Sequence, residues 1–245
     1  MRLRTNVWLD HAFQSESPNM TALAPQTIFL KDYAEPHHWV ETVHLTFALA
    51  PRATRVSSRI VFTPNTNNLG DLILNGEQLA LKSVTVNGAK VPYEVTDTHL
   101  TVKQADLPHD PFTFEAEVEI SPGTNTALEG LYMSSGMYCT QCEAEGFRKI
   151  TYYPDRPDVM SVFTVRVESD LPVMLSNGNP QATGAGWAEW HDPWPKPAYL
   201  FALVAGELLA HSDTFTTVSG KDVDLNIYVR KGDEDKCAFG MQALI

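Results

Sequence analysis

Apolar and polar positions alternate along most of this chain. Strand signals start near Ile28. Val43, Leu45, Phe47 and Leu49 alternate with His44, Thr46 and Ala48, the period-two pattern of a strand with one buried face. Residues 55–63 are rich in β-branched side chains and predict a second strand, closed by the loop Pro64-Asn65-Thr66-Asn67-Asn68. Phe112, Phe114, Ala116, Val118 and Ile120 alternate with Thr113, Glu115, Glu117 and Glu119, which predicts one apolar face and one acidic, wetted face. The clearest hairpin signal joins residues 81–86 to 91–95 through Asn87-Gly88, since Asn-Gly accepts the positive φ angles of a type I′ turn. Further strands are predicted at 162–167, 173–175 and 187–190. Residues 199–205 are continuously apolar and predict a strand buried on both faces. Three prolines within 191–197 predict a rigid loop, and a short helix is expected within 144–153, stopped by Pro154 and Pro157. Residues 214–217 and 223–229 alternate again. From Asp233 onward Ala238, Met241 and Leu244 fall at helical spacing, and the sequence stops within that helix without a cap or breaker. The expectation is a mainly β chain, a β-sandwich of antiparallel and mixed sheets, with different structure beginning after about residue 211.

Composition adds limits rather than an identity. At 245 residues, 43% hydrophobic and 20% charged, the chain can build a large core without disulfide staples. A formal net charge of -12 argues against nucleic acid or an anionic membrane as the main partner. Three cysteines are an odd number at low density, which argues against a disulfide framework and for a reducing, cytoplasmic compartment. No apolar run approaches the roughly 18 residues of a membrane span. Asp10, His11, Gln14, Ser15 and Glu16 interrupt the stretch after Arg2 and Arg4, so no secretory signal is read. Residues 1–26 carry no period and are expected to form a poorly ordered tail, with the functional protein starting near Met20.

The chemistry concentrates in residues 138–158. Cys139-Thr-Gln-Cys142 is a C-x-x-C, but no second pair exists to complete a zinc ribbon, and no βαβ alternation surrounds it as a redox motif requires. No H-E-x-x-H, G-x-S-x-G, P-loop or G-x-G-x-x-G is present. No catalytic residue and no metal ligand is therefore assigned within this chain. On an extended segment Gln141, Glu143 and Glu145 would share one face. An amide and two carboxylates on one face suit a protonated amine, because an ionised carboxylate accepts charge-assisted hydrogen bonds. The same carboxylates could instead pair with Arg148, Lys149 or Arg156 as structural ion pairs, and at this point both readings stand.

Several blocks then follow in order: Asn125-Thr-Ala-Leu-Glu-Gly-Leu-Tyr132, Cys139-Thr-Gln-Cys-Glu-Ala-Glu-Gly-Phe-Arg148, Ile150-Thr-Tyr-Tyr-Pro-Asp-Arg-Pro-Asp158, Ser176-Asn-Gly-Asn179 and Lys196-Pro-Ala-Tyr-Leu-Phe-Ala-Leu-Val-Ala-Gly206. Together they resemble the amino-terminal part of the bacterial aminopeptidase N family, the alanyl-type zinc aminopeptidases of the gluzincin group. The likeness runs from about Ile28 to Ile245. It implies a β-saddle N-terminal domain over 27–211 and, over 212–245, the opening strands and first helix of a thermolysin-like catalytic domain. The family's zinc motif is absent from this sequence, so the resemblance implies zinc in a longer enzyme, with none held here and no activity from this part alone. It also implies substrates that are peptides with a free N-terminus, a catalytic domain as partner in cis, and a monomeric enzyme without nucleic-acid or membrane partners. Residue by residue, Gln141 matches the glutamine that lines the first side-chain pocket, and Glu143 matches the glutamate that binds the substrate's α-amino group. Glu145 and Arg148 are expected to support the loop. Pro154 stands where the family more often has a larger apolar residue. The alternative is a non-catalytic β-sandwich module that binds peptides or proteins.

Overall fold

The computed structural model describes residues 29–245. The expected tail over 1–26 lies outside the described residues. Two compact units divide the chain after Ala34. In the first, the described residues include a single 3-10 turn, Leu30–Asp32. Everything below concerns the second unit, from Glu35 onward.

The described strands, in chain order, are β1 (His38–Ala48), β2 (Thr54–Pro64), β3 (Leu72–Asn75), β4 (Ala80–Val86), β5 (Glu94–Val95), β6 (His99–Val102), β7 (Phe112–Ile120) and β8 (Gly130–Ser134). They continue with β9 (Met137–Gln141), β10 (Met160–Glu168), β11 (Val173–Ser176), β12 (Asn179–Gly184), β13 (Trp187–Pro197), β14 (Leu203–Gly206), β15 (Leu208–Thr216) and β16 (Asp222–Arg230). One α-helix, α1 (Cys237–Leu244), follows. The fold is mainly β, as the alternation predicts. A seven-stranded sheet runs β12-β13-β10-β1-β2-β7-β4, a four-stranded sheet β11-β14-β9-β8, and a three-stranded sheet β3-β6-β5; β15 and β16 form a hairpin of their own. All pairs in the large sheet are antiparallel except β1 with β10, so it is a mixed sheet.

One core joins the three larger sheets. The inner face of the seven-stranded sheet supplies Val43, Phe47, Ile60, Phe62, Phe114, Val118, Phe163 and Val165. The three-stranded sheet adds Leu74 and Leu100, and the four-stranded sheet adds Leu131, Leu203 and Ala205. Each of these Val, Leu, Ile and Phe side chains contributes roughly 1.5–3 kcal/mol when fully buried, which explains why the alternation in the sequence is strict here. On the outer face, Arg55 reaches Glu117 at 3.5 Å, Arg59 reaches Glu115 at 3.6 Å and Lys82 reaches Glu119 at 3.4 Å. The acidic stripe of β7 is thus a solvated face flanked by basic residues of β2 and β4.

The structure corrects five expectations. The first described strand begins at His38, and residues 29–37, expected to be strand-like, hold none. The Asn87-Gly88 turn forms, with φ angles of 50° and 76° and reciprocal Val86–Ala89 bonds of 2.9 and 3.0 Å, but no hairpin follows. Pro92 removes a donor from the returning segment. β4 pairs instead with β7, while Glu94 and Val95 join the three-stranded sheet. The proline-rich stretch 191–197 is strand, not loop. Beyond His191 the β12 ladder has ended, so β13 is paired with β10 on one side only. Pro193, Pro195 and Pro197 share one parity, and an edge tolerates residues that cannot donate. Within 144–153 only the 3-10 turn Phe147–Lys149 forms. Of the apolar run 199–205, only Leu203 onward is strand, preceded by the 3-10 turn Ala198–Leu200.

Candidate substrate-amine site

Strands β8 and β9 are joined by Ser135-Gly136, with φ angles of 51° and 82°, the positive pair that a tight hairpin requires. β9 is held on its other side by β14, through Cys139 opposite Val204 and Tyr138 opposite Ala205. It ends at Gln141, which faces Gly130. The chain then turns back at once. The Gly146 N–H donates to the Cys142 carbonyl at 2.8 Å. A Cβ on Gly146 would lie 2.4 Å from the Gln141 carbonyl oxygen and 3.0 Å from the Gly130 nitrogen, so only glycine permits this approach. The Glu143–Ala144 peptide within the turn is cis.

Both ends of the turn are sunk in the core. Cys142 is 2% exposed and Phe147 fully buried. The Phe147 ring packs against Tyr153 at 5.1 Å, Phe201 at 5.3 Å and Phe163 at 6.0 Å between centroids, an edge-on cluster that fixes the turn's base. Thr151, also buried, donates to Ser58 at 3.1 Å, and Ser58 to the Ala116 carbonyl at 3.3 Å, which ties the segment to β2 and β7. The Tyr153 hydroxyl lies 2.8 Å from Ser161 on β10. Residues 143–145, between these anchors, are exposed.

The charged groups of the block separate into two kinds. The Arg148 N–H and Nε both donate to one oxygen of Asp155 at 3.1 Å, and Nη2 donates to the Asp155 carbonyl at 3.1 Å. Nη1 sits 3.3 Å from Glu145 and 3.8 Å from Glu77. Burial raises the Asp155 carboxyl above the ordinary carboxylate range, and the bonds and charge of Arg148 offset only part of that rise. Lys149 pairs with Glu129, and Arg156 binds Asp158 through two bonds of 2.7 and 2.5 Å. Glu143 stands apart. Among the described residues its carboxylate makes no ion pair and no hydrogen bond; only its backbone carbonyl is held, by Gln141 Nε2 at 3.3 Å.

Gln141 and Glu143 are therefore brought together, though not as the sequence predicts. Gln141 ends a strand and Glu143 sits in a turn, so 141, 143 and 145 do not form one extended face. Glu145 follows the ion-pair reading and Glu143 does not. The cysteines take no visible part. All three are free, and burial raises the Cys142 thiol far above its ordinary range, which keeps it protonated and inert. Burial also raises Cys139, with nearby Arg230 opposing. Among the described residues no group of three or more His, Cys, Asp or Glu side chains could hold a metal ion. The side chains here do not fit a zinc site. Asn75, Glu77 and Asp155 escape the sequence reading; their signal was only an Asn-Gly turn and an aspartate between prolines.

The peptidase M1 N-terminal domain matches residues 35–200. This chain belongs to the peptidase M1 family. It is 46% identical over 230 residues to aminopeptidase N of Caulobacter vibrioides, an alignment covering 90% of this chain and 26% of that protein. It is 43% identical over 229 residues to aminopeptidase N of Escherichia coli, with 90% and 26% covered. Among solved structures it is similar to aminopeptidase A of Legionella pneumophila in complex with aspartic acid, with a TM-score of 0.79, 34% identity, and 88% of this chain and 27% of that one covered. The chain spans about a quarter of the length of these relatives. M1 membership thus rests on the segment that contains the 138–158 block.

Proposed function

We propose that this chain forms the amino-terminal part of a zinc-dependent aminopeptidase, and that Glu143 with Gln141 receives the amino end of the peptide substrate. Glu143 binds the α-ammonium group and Gln141 lines the first side-chain pocket. The observation that carries the reading is the unpaired state of Glu143. Every other acidic residue of the 138–158 block has a cationic partner, yet this one is exposed on a turn whose base is rigidly buried. An unneutralised carboxylate on a fixed turn suits a ligand that brings its own positive charge. It also accounts for exopeptidase action, since an internal peptide bond offers no ammonium group at that place. The names of the relatives, and the aspartic acid bound by the Legionella enzyme, agree with an amino-acid-binding role.

The remainder of the activity belongs to chain outside this sequence. There the zinc ion would supply Lewis-acid polarisation of the scissile carbonyl and an activated water. We assign 27–211 to the N-terminal β-domain and 212–245 to the start of the catalytic domain; the hairpin β15–β16, which joins no other sheet and begins at Leu208, supports a change of structure close to this boundary. Three free thiols support a reducing, cytoplasmic setting, and the family likeness a monomer.

The test is kinetic. In the complete enzyme, Glu143→Gln keeps the size and shape of the side chain and removes its charge. KM for an aminoacyl-anilide should rise by about 30-fold or more, the ~2 kcal/mol or greater expected when one partner of a desolvated charge pair is removed. An unchanged KM would reject the role.

A further inference from the structure

We infer that Arg148 is a positioning residue for amine recognition, acting through Asp155 and Glu145 on the turn that carries Glu143. The inference rests on the reading of Glu143 above.

Among the described residues Arg148 is one of the least exposed cations, its side chain 13% accessible. Three carboxylates surround it, and they come from three segments: Glu145 from the Glu143 turn, Asp155 from the segment leading to β10, and Glu77 from the end of β3. The backbone runs the same way. The Glu77 N–H donates to the Arg148 carbonyl at 3.0 Å, and the Asp155 N–H donates to Asn75 Oδ1 at 3.1 Å. Asn75 and Tyr153 exchange a bridge of two bonds, 2.8 and 3.1 Å. Asn75 Nδ2 in turn contacts the His99 ring at 3.2 Å. A single guanidinium thus joins the exposed turn to the three-stranded sheet.

This arrangement does two things for Glu143. It adds a polar tie to the turn, through Glu145, beside the aromatic anchor at Phe147. It also neutralises the neighbouring Glu145, which leaves Glu143 as the carboxylate free to meet an ammonium group. A planar fork suits that task, because it gives separate donors to the side chain and carbonyl of Asp155 while a third nitrogen faces the glutamates. Lysine would keep the charge and lose the fork.

A residue that only supported folding would behave differently. Its loss would lower Tm and the active fraction, so apparent kcat would fall with KM unchanged. A positioning role raises KM, because a displaced carboxylate binds the ammonium less well in every folded molecule. The experiment is a double-mutant cycle in the complete enzyme with Glu143→Gln and Arg148→Gln, plus Arg148→Lys. Arg148→Gln should raise KM by about 10-fold, Arg148→Lys should restore part of it, and the double variant should show no more than the Glu143→Gln rise. Additive KM effects, or a KM that stays put while kcat falls, would overturn the inference. If Arg148→Gln cannot be purified folded, the cycle run with Arg148→Lys decides by the same criterion of additivity. Should Glu143→Gln itself leave KM unchanged, the reading of Glu143 fails; should it raise KM while the Arg148 variants do not, only the positioning role fails.

Discussion

His38 and His37 are neighbours in sequence, yet they live in different solvents. His37 is half-exposed and donates from Nδ1 to the Asn68 carbonyl, 2.8 Å away, whereas His38 is 6% exposed with its ring edge-on to Phe62 and Phe112. Burial, helped by the neighbouring His37, lowers the His38 imidazole to about 4. The folded state therefore resists protonation more than the unfolded chain, whose histidine titrates near 6.5. Stability from this group is complete above the unfolded value and is lost as pH falls from there through the folded one. We expect a loss on the order of 2 kcal/mol between pH ~7.5 and pH ~4.5, measured by urea denaturation at those two values. His38→Phe should lose less over that interval; equal losses would contradict the account. Glu143 shows a limit of reading at this scale. The residue types in 138–158 announce a charged site, but which carboxylate stays unpaired depends on where Asn75, Glu77 and Asp155 fall, and no local pattern encodes that.

At the scale of elements, what decides between a correct and an incorrect reading is whether pairing partners are local. The alternation in β1, β2, β7 and β10 is legible because one face of each meets the common core. The prolines of β13 mislead because edge position is set by where β12 stops, far from the prolines themselves. The Asn87-Gly88 turn forms as its chemistry demands, but the longer ladder of β7 captures β4. That separation of turn from hairpin can be measured. Gly88 has φ of +76° and open space around its would-be Cβ, so Gly88→Ala carries only the backbone cost of the left-handed region. We expect destabilisation of about 1 kcal/mol in thermal or chemical unfolding, with the β4–β7 pairing kept. A loss of several kcal/mol would mean that the turn organises far more of the sheet than its contacts indicate.

Across the whole molecule, three sheets converge on one core and leave a short exposed turn, tied to that core by the Phe147 ring cluster and to its polar neighbours by the Arg148 guanidinium. The family likeness was legible because its blocks lie in the segments that build this turn and its supports: the β8–β9 hairpin, the Phe147 anchor, the Arg148–Asp155 brace and β14. The account's central claim is that Glu143 recognises the charged amino end of a substrate. The direct measurement compares, in the complete enzyme, inhibition by a short peptide and by its des-amino analogue, for the parent and for Glu143→Gln. The parent should prefer the free amine by about 30-fold or more, and the variant should lose most of that preference while binding the des-amino ligand nearly as before. Equal discrimination by both enzymes would contradict the claim.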